Sequence, residues 1–396
     1  MALSLPKGFL YAGVSSGIKP DGKKDLGIIF SEVPAVASGM FTTNAIKAAP
    51  VVVSINQLKK GHKRLIIANS GIANAATGQN GIKDTNDIIN AYAKGFNIKP
   101  EEILVASTGV IGRRLPVDKI TAQITVLKND LSRQGFMDAV RAIMTTDTVP
   151  KYGSRRLKIG GKEVILTGFV KGSGMIQPQM ATMLAFFTSD VSISSGALKK
   201  ALTVATDITF NRITIDGEMS TNDTVLILAN GLAQNETITE SGKHYELFQE
   251  AMVDLSKELM EKMVKDGEGA SKVIDVNVGG AKTEQDAKIV AYKLANSPLI
   301  KTAFFGEDPN WGRIVATVGA SCPYADESRL KIWIGKQIVF NCGKGIDDEG
   351  LLKVRNSMKN RTIQLSIDLG SGDAKFNVMT CDLTYDYVRI NSTYTS

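Results

Sequence analysis

Short β-branched runs, each stopping in a cluster of small residues, recur along the whole chain. Residues 65–68 (LIIA) run into Asn69-Ser70-Gly71, and residues 103–106 (ILVA) run into Ser107-Thr108-Gly109. Residues 164–170 lead into the Gly-rich stretch KGSGMIQPQM, and residues 183–189 (MLAFFTS) leave it. These runs read as strands that end in tight turns. Further strands are expected at 224–229, 273–278, 331–334, 338–340, 363–369 and 376–383. Helical periodicity is clearest at 245–265, where Leu247, Phe248, Ala251, Met252, Leu255, Leu259 and Met263 share a face. On its other side, Glu258 with Lys262 and Glu261 with Lys265 form i,i+4 pairs. Other helices are expected at 85–94, 117–131, 134–144, 195–209 and 283–294. Strands and helices are mixed throughout, so the fold class is α/β (or α+β). No Pro/Ser linker, repeat or low-complexity stretch divides the chain.

Composition narrows the possible functions. A chain of 396 residues can hold two domains or two intimately joined halves around a large core. No apolar run approaches a membrane span, so no membrane partner is expected. The opening MALSLPKGFLYAG lacks a basic leader followed by a long apolar core, so a cytoplasmic protein without a signal peptide is expected. Cys322, Cys342 and Cys381 are scattered, odd in number and free of CxxC spacing, which fits reduced thiols rather than a disulfide frame or a zinc site. The net charge of +7 comes with short basic clusters such as His62 to Arg64 and Arg155-Arg156. These lack interleaved aromatics, so they read as solvated side chains and not as a nucleic-acid surface. A basic surface can also attract anionic metabolites. Only His62 and His244 occur. Both look surface-facing, so a Ser-His-Asp or Cys-His mechanism has no base and no His-rich metal site can form.

Acid–base chemistry must then come from an amine, a carboxylate or a hydroxyl. Residues 171–184, KGSGMIQPQMATML, offer such an arrangement at Ala181-Thr182. If the bond before a Thr is cut, the freed α-amine can take the proton from Oγ. That amine has a reference pKa of roughly 7.7–8.0, so a useful fraction is neutral near neutral pH. Small Ala181 and the glycines at 172 and 174 leave room for strain at the bond. Taken alone, the dipeptide means nothing, and a strand residue beside a Gly-rich turn is the better reading.

The longer run resembles the processing and nucleophile segment of the ornithine acetyltransferase family, the glutamate N-acetyltransferases of arginine biosynthesis. Other segments resemble the same family in the same order: FTTNAIKAAPV (41–51), NSGIANAATG (69–78), STGVIG (107–112), IMTTDTVPK (143–151), DGEMSTNDTV (216–225), DGEGASK (266–272), FFGEDPNWGRI (304–314) and the terminal YVRINSTYTS. The resemblance implies a layered α/β sandwich of a self-processing type, with two closely packed halves. It implies cleavage into an alpha chain, 1–181, and a beta chain, 182–396, that assemble as two of each. It implies acetyl transfer from N2-acetylornithine to glutamate through an acetyl ester on Thr182, in the cyclic route to arginine.

The same resemblance assigns the oxyanion hole to Thr108 and Gly109, where a hydroxyl and a backbone N–H can converge on one oxygen. For substrate it points to Thr148, Lys171, Thr182, Glu268, Asn391 and Ser396. Lys171 suits a carboxylate. Glu268, just past the helix at 245–265, suits the δ-ammonium of ornithine at a helix end that favours cations. Departures occur at Ile72 and Ala76, where the family more often has Asn and Cys; altered packing near the first strand turn is expected. Trp311 and Arg313 of DPNWGR are expected to stack on each other. No metal and no cofactor is expected, since neither GxGxxG after a strand nor GxxxxGK[ST] occurs. Acetyl-coenzyme A is a second candidate donor. Two rivals stand beside this reading: an aminopeptidase or amidase with the same N-terminal nucleophile, and a binding protein for acidic amino acids.

Overall fold

The computed structural model describes residues 3–177 and 183–393. Eight strands build the first sheet: β1 (Phe9–Val14), β2 (Leu26–Phe41), β3 (Lys63–Ile72), β4 (Ile103–Val110), β5 (Lys151–Ile159), β6 (Lys162–Lys171), β7 (Leu184–Ser189) and β8 (Thr224–Ala229). Their order is β4-β3-β2-β8-β7-β6-β5, with β1 also on β2. The long β2 is shared between two half-sheets. Residues 26–31 pair with β1, residues 26–30 pair with β3, and residues 36–41 pair with β8.

Side-chain alternation stacks these halves. Ile66, Ala68, Leu104 and Ala106 pack in one core with Phe169, Phe186, Leu226 and Leu228, so the half-sheets face each other. The intervening residues point outward. Leu65, Ile67, Ile103 and Val105 meet the helices α1 (Ala49–Leu58), α2 (Gly78–Phe96), α3 (Val117–Thr121) and α4 (Ile124–Asp130). The helix α5 (Phe136–Ile143) fills the inner core with Phe136 and Val140. On the far side, Ala185, Phe187, Val225 and Ile227 meet α6 (Ser195–Ile208) and α7 (Lys243–Lys265). The layers therefore run helix, sheet, sheet, helix: the mixed α/β class read from the sequence, in the layered form that the family resemblance implies. Because both faces of β3, β4, β7 and β8 are covered, those strands are continuous apolar runs.

A second sheet joins β9 (Val273–Ala281), β10 (Lys331–Ile334), β11 (Gln337–Asn341), β12 (Lys344–Gly345), β13 (Thr362–Asp368) and β14 (Ala374–Cys381), in the order β12-β11-β10-β13-β9-β14. Helices α8 (Glu284–Ala295), α9 (Pro298–Phe305), α10 (Trp311–Ser321) and α11 (Asp348–Ser357) pack against it. Val273 and Cys381 also belong to the core of the first body, which welds the two. A last helix, α12 (Tyr385–Thr393), follows β14.

Three local expectations change. The helix expected at 117–131 is two helices, and the Thr121 hydroxyl bonds the carbonyls of Val117 and Asp118 where the first one ends. Trp311 packs against Phe340, with ring centroids 5.4 Å apart, while Arg313 donates to the Leu299 carbonyl. The basic clusters are not all solvated, since Lys63 is fully buried and donates to the carbonyls of Gly61 and His62. Among the described residues, no helix is long and apolar enough to cross a membrane.

Candidate active site

The parallel strands β3 and β4 end side by side, with Ser70 opposite Thr108 and Gly71 opposite Gly109. Thr108 is buried. Gly109 has φ +127°, and a Cβ there would lie 2.3 Å from the Gly71 carbonyl carbon, so only glycine fits. Asn222 locks this corner by donating to the carbonyls of Ala73 and Ser107, at 2.7 and 2.8 Å.

Facing this corner is the end of β6. Lys171 is buried there, and its Nζ lies 3.5 Å from the Thr145 hydroxyl. Burial lowers its pKa, while the charges of Asp147 and Asp223 pull the other way. The TTDT loop is fastened residue by residue. Thr146 shares a hydrogen bond of 2.6 Å with Ser173. Asp147 accepts from Lys151 Nζ at 2.5 Å and from the Gly172 N–H at 2.8 Å. Lys151 also meets Asp266 at 2.5 Å.

Just past α7, Glu268 donates its N–H to the Ser173 carbonyl and accepts from Asn391 Nδ2, each at 2.8 Å. A Cβ on Gly174 would sit 2.4 Å from the Glu268 carboxyl, so the Gly-rich loop lies directly against that side chain. From α12, the Tyr387 hydroxyl donates to Asp216 at 3.3 Å. Asp216 also accepts the N–H groups of Met175 and Ile176, and burial raises its pKa.

These elements enclose one cavity of about 230 Å³. It brings together Thr108, Gly109, Lys171, Glu268 and Asn391 from the sequence-derived set. Its lining includes Lys171 and the Thr108–Gly109 corner together with the carboxylates Asp216, Glu218 and Glu268. Such a cavity suits a molecule with a carboxylate and an ammonium. Thr148 is outside the lining, with its N–H and hydroxyl both turned to Asp266; its neighbours Thr145 and Thr146 line the cavity. Thr182, the Ala181–Thr182 bond and Ser396 lie outside the described residues.

The ArgJ family model matches residues 10–396.

The chain belongs to the ArgJ family.

The arginine biosynthesis bifunctional protein ArgJ of Caldanaerobacter subterraneus subsp. tengcongensis is 45% identical, over 99% of this chain and 98% of its own length. The Bacillus subtilis protein of the same name is 43% identical, over 99% and 96%. The crystal structure of the Bacillus halodurans protein is similar at 40% identity and a TM-score of 0.42, over 45% of this chain and 92% of that one. The ornithine acetyltransferase of Mycobacterium tuberculosis, complexed with ornithine, is similar at 37% identity and a TM-score of 0.39, over 44% and 92%. Against the ArgJ pattern, Ile72 packs at the edge of the core beneath β3, and Ala76 is exposed with φ +55°. Asp216, Glu218, Asn222 and Tyr387 were not singled out from sequence. The first three stand in DGEMSTNDTV and Tyr387 opens YVRINSTYTS, but the polar composition of these segments carries no positional information about a cavity assembled from distant loops.

Proposed function

We propose that this ArgJ-family chain is the acyltransferase of arginine biosynthesis that moves acetyl from N2-acetylornithine to glutamate. The observation that supports this most is that one cavity is lined by both the buried Lys171 and the carboxylate of Glu268, which Asn391 holds. Lys171 binds the α-carboxylate of either substrate. Glu268 receives the δ-ammonium of ornithine, and the end of α7 adds to its pull on a cation. The chain first cuts itself before Thr182, which gives chains 1–181 and 182–396. Thr182 Oγ then attacks the acetyl carbon while its own amine takes the hydroxyl proton. Thr108 and the Gly109 N–H hold the resulting oxyanion. The C–N bond breaks, and the proton passes to the departing ornithine nitrogen. Glutamate's amine attacks the acetyl ester next and leaves as N-acetylglutamate.

Asn391 and the terminal Ser396 complete the substrate contacts in this scheme. Acetyl-coenzyme A is a second donor by the same ester. The working assembly is two of each chain in the cytoplasm. Intact mass with N-terminal sequencing is the test: two fragments are expected, the second beginning Thr182, Met183, Leu184. An uncleaved chain with full transfer activity, or a Thr182→Ala variant that still transfers acetyl, defeats the scheme. Acetate release without any dependence on glutamate would favour an amidase instead.

A further inference from the structure

The two substrates of the proposed transfer place different demands on one cavity. Acetylornithine brings an α-carboxylate and, at the end of its side chain, an ammonium. Glutamate brings the same α-carboxylate but ends in a second one. Among the described residues, Lys171 is the only cation in the lining, against the carboxylates Asp216, Glu218 and Glu268. With Lys171 on the α-carboxylate, the γ-carboxylate of glutamate has no cation to meet. An unpartnered charge among like charges is costly, so an uncharged donor must take it.

The amide donors of the lining are committed. Asn222 gives its two amide hydrogens to the carbonyls of Ala73 and Ser107, at 2.7 and 2.8 Å. Asn391 gives its own to Glu268, at 2.8 Å, and to the Tyr387 carbonyl, at 3.1 Å. Among the hydroxyls, Thr108 serves the oxyanion in the scheme above, and Thr145 lies beside Lys171. The Tyr387 hydroxyl lies among the carboxylates and is loosely held. It donates to Asp216 Oδ2 at 3.3 Å, long for a bond between two oxygens. Asp216 does not depend on it. The same oxygen accepts the Met175 N–H at 2.7 Å, and Oδ1 accepts the Ile176 N–H at 2.9 Å. The hydroxyl can therefore leave without stranding a buried acceptor. Burial pushes the Tyr387 pKa up, and Asp216, Glu268 and Glu218 add to the push, so the group keeps its proton and remains a donor.

Resting on the transfer proposed above, we propose that Tyr387 is the residue that admits glutamate, its hydroxyl turning from Asp216 to the γ-carboxylate of the acceptor. While acetylornithine is bound, the hydroxyl stays on Asp216 and the substrate ammonium faces Glu268. Once ornithine has left, the hydroxyl turns to the incoming carboxylate, and no proton changes hands. Tyr387 and Asn391 stand one helical turn apart on α12. The donor to the acceptor's carboxylate and the residue that holds Glu268 therefore share one helix.

The test is Tyr387→Phe, which removes one oxygen and keeps the half-buried ring, so the variant should melt with the wild type. In a transfer through a common acetyl-enzyme, kcat/KM for acetylornithine reports the first half-reaction and kcat/KM for glutamate the second. Both come from one preparation, so their ratio is independent of how much of it is active. The expected result is a fall of about ten- to a hundredfold in kcat/KM for glutamate, the usual cost of a hydrogen bond to a charged group, against a change under about twofold for acetylornithine. Preference for glutamate over glutamine, whose side chain ends in an uncharged amide, should shrink with it. A Tyr387 that merely docks α12 would loosen Asn391 from Glu268 and harm acetylornithine as much as glutamate. Equal losses for the two substrates therefore overturn the assignment, as does an unchanged kcat/KM for glutamate or an unchanged preference over glutamine. Wild-type protein that turns over acetylornithine without any acceptor removes the underlying transfer, a result seen before any variant is compared.

Discussion

Thr108, Gly174 and Lys171 set the chemistry of the cavity at the residue scale. Thr108 contributes one hydroxyl donor on a corner locked by Asn222. Thr108→Ala should slow acetyl transfer by about 10²-fold, the usual cost of one oxyanion donor, with an unchanged melting temperature. An unaltered kcat would remove Thr108 from the mechanism. Gly174 lies against the Glu268 carboxyl with no room for a methyl group. Gly174→Ala should therefore push Glu268 aside and raise KM for acetylornithine more than KM for glutamate, which lacks the δ-ammonium. Steady-state kinetics with each substrate separates the two. Lys171 carries a testable pH dependence. Burial lowers its pKa below the ordinary lysine value of about 10.4. As pH rises through the lowered value the cation is lost and with it the grip on the substrate carboxylate, so KM should climb on the alkaline side. Lys171→Arg keeps its charge across that range, and its KM, though altered by the bulkier group, should stay level there.

At the scale of elements, legibility followed burial. Strands covered on both faces show as apolar runs: β7 and β8 were located from sequence to within a residue, and β3 and β4 by their apolar middles, their polar ends being read as turns. By contrast, β5 (KYGSRRLKI) sits at the sheet edge, and its charged residues hide it. The run of valines in α1 (APVVVSINQL) favours strand over helix, and the Pro at its first turn with packing against β4 decides the outcome. The polar α12 has no apolar stripe to announce it. It is docked by single contacts, from Thr384 to the Gly269 carbonyl and from Asn391 to Glu268. The Thr108–Gly109 corner was legible because strand ends carry their own turn signature. Asp216 and Tyr387 were not, because their partners come from loops far apart in sequence. Deleting residues 385–396 should leave the melting temperature almost unmoved, since α12 buries no residue, yet abolish measurable substrate binding by calorimetry. Retained affinity would show that the last helix is dispensable.

For the molecule as a whole, buried charge sets part of the stability. Lys63 is fully enclosed, and burial pushes its pKa down to about 8. Below that pH both folded and unfolded chains hold the proton, and the enclosed charge destabilises the fold. Between about pH 8 and the ordinary lysine value near 10.4, the folded chain is neutral at Lys63 while the unfolded chain still binds the proton, so stability rises with pH. Denaturant midpoints of wild type relative to Lys63→Met should therefore improve from about pH 8 to about pH 10. A constant difference would mean that the charge is not what costs stability. The arrangement of the first sheet reaches further. Lys171 pairs with Leu184 across β6 and β7, so the proposed scission falls in the connection between two bonded neighbours. While that connection is intact, bringing the strands together is a unimolecular loop closure whose entropic cost grows only slowly with length. Once it is severed, the same pairing becomes an encounter of two separate polypeptides, so renaturation should succeed at any dilution for the newborn polypeptide and fade with dilution for the nicked one.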